Sequence, residues 1–198
     1  GNLRAGREGG AAGAALLLAA LAAALRIREQ IAVRPSARAA VVGPGRLGLL
    51  VAQVLALAGT DVTVLGRRAE SLELPRQLGL ATGLVAEAAD DSFDLGVEAT
   101  GNDAGLAHSL RLARPRGTLV LKSTFAGQAH VNLTKLVVGE ITVVGSRCGP
   151  FAPALRLLER GAVAVRPLIE AEYPLTDALT AFEHAARPGV RKVLLRPN

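Results

Sequence analysis

One stretch decides the fold: AVVGPGRLGLLVAQVLALAGTDVTVLGRRAE, residues 40–70. The short apolar strand AAVVG, 39–43, runs into Gly43-Pro44-Gly45-Arg46-Leu47-Gly48, which has the spacing G-x-G-x-x-G. A long apolar helix is predicted over 46–59, closed by Gly59, and a β-branched strand, DVTVLG, over 61–66. Between a strand and a helix the motif has a mechanism. Gly43 permits a tight turn, Gly45 lets backbone approach a pyrophosphate, and Gly48 lets the helix pack on the strand. The first helical turn, with Arg46 and Leu47, offers free N–H groups and a partial positive charge to the phosphates. The competing reading is a glycine-rich turn that holds nothing.

The end of the second strand selects the cofactor. NAD-binding turns place an Asp or Glu about 20 residues further on, where it bonds the ribose 2′-hydroxyl. Here Gly66 holds that place, followed by Arg67 and Arg68, and Asp61 lies at the strand's opposite end. Without a carboxylate nothing repels a 2′-phosphate, and two guanidinium groups can pair with it bidentately. NADP is therefore expected over NAD, unless the two arginines are merely solvated on a loop.

Outward from this stretch, strands and helices alternate. A weaker helix over 69–79 is interrupted by Pro75, and a short third strand is expected at 83–87. SFDLGVEATG (92–101) reads as strand four, DAGLAHSLRLAR (103–114) as a helix stopped by Pro115, and GTLVLKS (117–123) as the next strand. Such alternation implies right-handed crossovers and a mostly parallel sheet. After Lys122 the texture changes to a strand (140–149), a helix (151–162), the extended segment 165–174, a helix (175–186) and a last strand (190–197). That terminal strand-helix-strand has no place in a minimal dinucleotide-binding sheet and points to part of a second subdomain.

Composition narrows the function. The chain of 198 residues is half apolar with 3% aromatics, so Ala, Leu, Val and Gly carry the core. Net charge is +6, but the arginines are scattered and stacking residues scarce, which argues against nucleic acid. One cysteine, Cys148, and three histidines, His108, His130 and His184, offer no metal-ligand spacing. Cys148 is expected to be small and buried or half-buried, and His130 to lie on a surface loop. Lys122, Ser123 and Thr124 follow a strand's C-terminal end, where parallel sheets place ligands, but no complete catalytic set emerges. The apolar run from Ala11 to Leu25 is too short for a membrane span, which needs about 20 residues. It reads as a buried helix, although its length also suits a secretory h-region. Residues 1–12 are low in complexity and are assigned no structure. No membrane partner and a cytoplasmic location are expected.

At this point the sequence resembles the zinc-type medium-chain alcohol dehydrogenase/reductase superfamily, from about Leu21 to Leu195. VVGPGRLGLLVAQVLALAG resembles that family's glycine turn and first helix, and DLGVEATGN its fourth strand and following loop. RPRGTLVLKSTFAG, ITVVGSRCGPFAPALRLLERG and YPLTDALTAFEHAARPGVRKVLL follow in the family's order. The resemblance implies a Rossmann-type doubly wound parallel sheet with a short C-terminal remnant of a GroES-like catalytic domain. It divides the chain into a low-complexity segment (1–20), a linking helix (21–37), the dinucleotide-binding domain (38–162) and a return segment (163–198). It further implies that Thr100 and Gly101 lie along the ribose-nicotinamide side. The backbone at Leu121, Lys122 and Ser123 and at Gly145, Ser146 and Arg147 would line the carboxamide, and Lys192, or Arg191, would reach the pyrophosphate.

The departures are as informative. The GroES-like half that carries the zinc ligands is not represented, and alanines stand near Ala19 and Ala20 where the linking helix would follow the last ligand. A catalytic zinc needs three protein ligands and an open position, so no zinc is expected in this chain. The chain reads as the cofactor half of an NADP-dependent oxidoreductase of alcohols or aldehydes, with a non-catalytic nucleotide-binding module as the alternative. A homodimer through the strand near 140–146 is expected. An apolar face left open where the catalytic half would pack would favour association.

Overall fold

A computed structural model describes residues 17–124, 128–187 and 189–197. The readings made for residues 1–12, and the start of the apolar run at Ala11, lie outside the described residues. The chain opens with helix α1 (Leu18–Gln30) and continues β1 (Arg38–Val42), α2 (Arg46–Ala56), β2 (Asp61–Gly66), α3 (Glu73–Gln77), β3 (Ala81–Leu84) and β4 (Phe93–Glu98). Then come α4 (Asp103–Leu112), β5 (Ala113–Leu121), α5 (Leu133–Val138), β6 (Thr142–Gly145), α6 (Phe151–Glu159), β7 (Ile169–Pro174), α7 (Ala178–Ala185) and β8 (Lys192–Arg196). Short 3₁₀ turns precede α3, β7 and α7.

Six strands form one parallel sheet in the order β3-β2-β1-β4-β5-β6. This is the doubly wound dinucleotide-binding order, with its switch point between β1 and β4. Strand alternation covers both faces. Ala39 and Val41 join α1 and α2 in one core, while Ala40 and Val42 meet Leu65 and Leu112 in another. Helix α2 is apolar almost all round because it lies between the sheet and α1. The alanines of α1 let it lie close against α2 and α6. Gln53 of α2 is half-buried and exchanges two hydrogen bonds with the backbone of Ala164, tying this helix to the segment before β7.

The strand register aligns the C-terminal ends along one edge. Val42 pairs with Leu65 and Glu98, and Leu121 pairs with Glu98 and Gly145. Everything that follows a strand, from Gly43 to Ser146, is thereby gathered at one rim.

Several boundaries differ from expectation. The third strand is Ala81–Leu84, not 83–87, because its register is set by pairing with Thr63–Gly66. Pro115 does not lie in a loop. Strand β5 begins at Ala113 and bulges between the pairs Phe93–Ala113 and Leu95–Thr118, with Arg116 at φ 60°. Helix α5, six residues long, has no periodicity strong enough to announce it. Cys148 is exposed rather than buried, since its loop runs over the surface after β6.

The terminal β7-α7-β8 unit forms its own two-stranded parallel sheet. It leaves Leu175, Leu179 and Phe182 exposed, and Phe151 and Leu155 of α6 are exposed as well. Among the described residues no helix is long and apolar enough to cross a membrane.

Candidate dinucleotide site

The turn after β1 is shaped by two contacts that no side chain would survive. Gly43 has φ +111°, and a Cβ on it would sit 2.7 Å from the Ala99 carbonyl oxygen. A Cβ on Gly48 would sit 1.9 Å from the Gly43 carbonyl oxygen, so only glycine lets α2 start this close to the turn. Gly45 differs from both: nothing lies within 4 Å of where its Cβ would be. Its bare backbone faces open space at the N-terminus of α2, the cradle a phosphate would fill.

That space belongs to two adjoining clefts. One, of about 300 Å³, is lined by Gly43, Gly45, Gly66, Arg67, Arg68 and Thr100, with Ser71, Asn102, Gly105 and His108 closing its far wall. The second, of about 760 Å³, runs over Gly45, Arg46 and Leu47 to Arg68 and Arg191. Gly66 is buried, and a Cβ there would lie 2.7 Å from Ser71 Oγ and 3.0 Å from Leu72 Cδ2. A side chain at the end of β2 would require Ser71 and Leu72 to give way. Arg46, Arg67 and Arg68 are exposed, and none forms an ion pair among the described residues. They are therefore available to an anion.

Arg191, not Lys192, lines the cleft. Lys192 is the first residue of β8, pairs with Ile169 and lines neither cleft. Arg191 donates its backbone N–H to Glu170 (3.0 Å), and its guanidinium stands 3.6 Å from the same carboxylate. Its Nε is buried without a partner among the described residues, beside the cleft that the glycine turn lines. The backbone bond from Arg191 holds the Glu170 carboxyl below its ordinary range, with the nearby Arg191 charge and His184 assisting.

Across the switch point the residues predicted for the other half of the ligand meet at the rim. Glu98, 1% exposed, turns its Oε1 back to accept from Thr100 N (2.6 Å), Thr100 Oγ1 (2.6 Å) and Gly101 N (3.0 Å). The position of a Gly101 Cβ lies 4.0 Å from Ser123 Cβ, so Gly101 and Ser123 face each other. Leu121 accepts from Ser146 N at 2.9 Å. Lys122 sends its ammonium to Ser146 Oγ (2.9 Å) and the Arg147 carbonyl (2.8 Å). Burial pushes that ammonium down to about 8. Gly145 accepts from Gln30 of α1 at 3.0 Å, and a Cβ on Gly149 would lie 1.9 Å from the Ala22 carbonyl oxygen. The loop after β6 is thus pressed onto α1.

His130 is a surface residue bound to Asp103, whose carboxyl its backbone and ring hold below the usual range. Among the described residues no three His, Cys, Asp or Glu side chains group to hold a metal ion. A third hollow, about 660 Å³, follows β7 and is lined by Arg166, Glu172 and Arg196 in mutual ion pairs. It contains none of the predicted residues.

Sequence reasoning missed Glu98, Ser71, Asn102 and His108. Asn102 caps α4 by accepting from Gly105 N at 2.9 Å, so 102, 105 and 108 share one helix face by their i, i+3 spacing. That spacing was readable; the approach of this face to the end of β2 was not.

The family model of the zinc-binding dehydrogenases matches residues 47–160. Sorbitol dehydrogenase of Halalkalibacterium halodurans is 31% identical over 175 residues, 79% of this chain and 51% of that protein. D-arabinitol dehydrogenase 1 of Uromyces fabae is 26% identical over 189 residues, 86% of this chain and 54% of that protein. The chain therefore spans about half the length of the curated relatives it matches. A zinc-binding dehydrogenase of Sinorhizobium meliloti bound to NADP superposes with a TM-score of 0.84 at 25% identity, covering 93% of this chain and 59% of that one. A thermostable alcohol dehydrogenase of Pyrobaculum aerophilum superposes at 0.83 with 28% identity, covering 94% and 58%. With more than half its length inside the family model and a six-stranded sheet of the dinucleotide-binding order, the chain belongs to the zinc-binding dehydrogenases of the medium-chain alcohol dehydrogenase superfamily and corresponds to their C-terminal half.

Proposed function

We propose that this chain is the NADP seat of an oxidoreductase that moves hydride between NADP and an alcohol or aldehyde. One observation carries the choice of NADP: Gly66 stands at the end of β2 where an NAD-binding turn has a carboxylate, and Arg67 and Arg68 line the cleft there. The Sinorhizobium meliloti neighbour, bound to NADP, is in keeping with it. In this reading Gly43, Gly45 and Gly48 shape the phosphate cradle, Arg46 and the Nε of Arg191 face the pyrophosphate, and Arg67 and Arg68 clamp the 2′-phosphate. Thr100, Gly101, Leu121, Ser123, Gly145, Ser146 and Arg147 would hold the nicotinamide end.

When bound, the nicotinamide supplies the hydride chemistry, and the chain's own residues bind, orient and keep water away. A zinc does not fit the described residues, which offer no donor set and only an exposed Cys148. We propose the division 21–37, 38–162 and 163–198 for linking helix, cofactor domain and return segment, and the cytoplasm as the place of action. A homodimer through β6 is supported by its position as the sheet's outer strand. Val143 is exposed there, as are Leu133, Val137 and Val138 of α5, Val137 at 76%.

The test is calorimetric titration with NADPH and with NADH. NADPH should bind more tightly, and the Arg67→Ala, Arg68→Ala double variant should lose most of that difference, on the order of tenfold or more. Equal binding of the two dinucleotides by the unaltered chain would remove the NADP assignment.

A further inference from the structure

The rim holds one charge that the proposed cofactor seat does not account for. Lys122 follows β5 directly, and the ends of three strands meet on it: its N–H donates to the Glu98 carbonyl (3.0 Å), and Ser146 N donates to the neighbouring Leu121 carbonyl (2.9 Å). The side chain is 7% exposed, and its ammonium is fixed by Ser146 Oγ and the Arg147 carbonyl, both neutral acceptors. An ammonium has three N–H donors, and the third has no acceptor among the described residues. No carboxylate pairs with it there. Glu98, at the end of the neighbouring β4, directs its Oε1 to Thr100 and Gly101. Of the nearby titratable groups, Arg26 of α1 disfavours the charged ammonium and Cys148 of the loop after β6 favours it. A buried ammonium with no carboxylate partner among the described residues thus stands at the end of β5, among the residues proposed for the nicotinamide end.

We propose that the ammonium of Lys122 sets this seat's preference for the reduced, uncharged nicotinamide over the oxidised, cationic ring. This rests on the dinucleotide reading above and adds a property to it. The two redox forms share every phosphate, ribose and adenine contact; they differ by one positive charge on the ring. A fixed cation within about 6–10 Å of that ring, at an effective dielectric of about 20, changes the affinity ratio on the order of ten- to a hundredfold. Lys122 is thus a positioning and specificity-determining residue, acting by charge on which redox form is held.

The experiment measures Kd for NADP⁺ and for NADPH from pH 6.5 to 9.5, with 2′,5′-ADP as a probe of the adenosine half alone. The 2′-phosphate, with its second ionisation near about pH 6, affects both redox forms alike and cancels in the ratio. Lys122 is charged below about 8 and neutral above it. The ratio Kd(NADP⁺)/Kd(NADPH) should therefore be high at low pH and fall ten- to a hundredfold as pH rises through about 8. In Lys122→Met the ratio should stay at the low, high-pH level throughout, with 2′,5′-ADP affinity unchanged. Cys148→Ser should keep the wild-type pH dependence, which separates Lys122 from the one thiol near it. A ratio that is flat with pH in the unaltered chain while 2′,5′-ADP binds overturns the inference and leaves the cofactor reading standing. So does a pH dependence that disappears in Cys148→Ser. If Lys122→Met fails to bind 2′,5′-ADP, the wild-type pH series decides alone. Failure of the unaltered chain to bind 2′,5′-ADP and NADPH overturns both readings.

Discussion

Two glycines three residues apart should respond oppositely to the same added methyl group. A Cβ on Gly48 would lie 1.9 Å from the Gly43 carbonyl oxygen and 3.2 Å from its carbon. The obstacle is backbone, so Gly48→Ala must push α2 away from the turn. Leu49, Leu50, Val51, Ala52, Val54 and Leu55 of that helix are all buried, so displacement loosens packing across one whole face of the sheet. Overpacking typically costs about 1–3 kcal/mol, and a clash against backbone belongs at the upper end, about 3 kcal/mol. For a chain of this size that lowers Tm by about 6–12 °C. Gly45→Ala meets nothing within 4 Å, and its φ of −79° with ψ of −179° suits any residue. Its stability should hold or rise by about 0.4–1 kcal/mol as the unfolded chain loses freedom. The methyl, however, enters the cradle, so NADPH affinity should fall by tenfold or more, about 1.4 kcal/mol. Thermal unfolding and calorimetric titration of both variants read the two quantities separately. A Gly48→Ala chain as stable as the parent, or a Gly45→Ala chain that binds NADPH undiminished, would refute the assignment of packing to one glycine and phosphate approach to the other.

Other consequences are accessible to simpler measurements. Glu98→Gln replaces a buried charged acceptor of three hydrogen bonds and should cost about 2 kcal/mol in denaturant unfolding; a neutral result would mean that the Thr100 turn holds itself. Asp94 is held below its ordinary value of 3.8 first by the Arg38 backbone N–H and then by Arg114. Its stabilisation is therefore complete above the unfolded-state value and lost as pH falls through the lower folded one. Asp94→Asn should flatten the acid limb of a stability-pH curve, and an unchanged limb would exclude that role. Val143→Lys on the exposed edge strand should shift sedimentation velocity toward monomer if β6 pairs between copies, and leave the profile unaltered if it does not.

The sequence exposed the fold through features local to each segment. Strand-turn-helix order, the glycine spacing at 43, 45 and 48, and Gly66-Arg67-Arg68 are contiguous signals whose physics needs no distant partner. What escaped depended on distance. Strand β3 was misplaced by about two residues because its pairing with Thr63–Gly66, not its own composition, sets its span. Pro115 reads as a helix stop in one dimension, yet it lies within β5, where the bulge opposite Phe93–Leu95 accommodates it. Arg191 and Lys192 are equivalent as sequence; only the start of β8 at Lys192 decides which one faces the glycine turn. A carboxylate at the end of the apolar run LGV (95–97) was a visible clue to Glu98. Its purpose appears only when the next turn folds back over it.

The two halves of the proposed seat are held by different physics, and this bears on how each should behave. At the adenosine end the polar groups are exposed arginines without ion-pair partners among the described residues, Arg46, Arg67 and Arg68. Their rotamer freedom must be given up when an anion binds, and salt screens their attraction. At the nicotinamide end Glu98 and Lys122 are buried and already bonded to backbone, and the loop after β6 is clamped on α1. These groups already hold their partners before any ligand arrives. Binding of 2′,5′-ADP should accordingly weaken steeply with ionic strength. The NADP⁺-to-NADPH discrimination, which depends on a buried fixed charge, should barely change between 50 mM and 500 mM salt (roughly a threefold change in screening length). Discrimination that decays in parallel with 2′,5′-ADP affinity would mean that the charge at Lys122 is as solvated as the arginines, and the distinction between a preformed half and an adaptable half would fail.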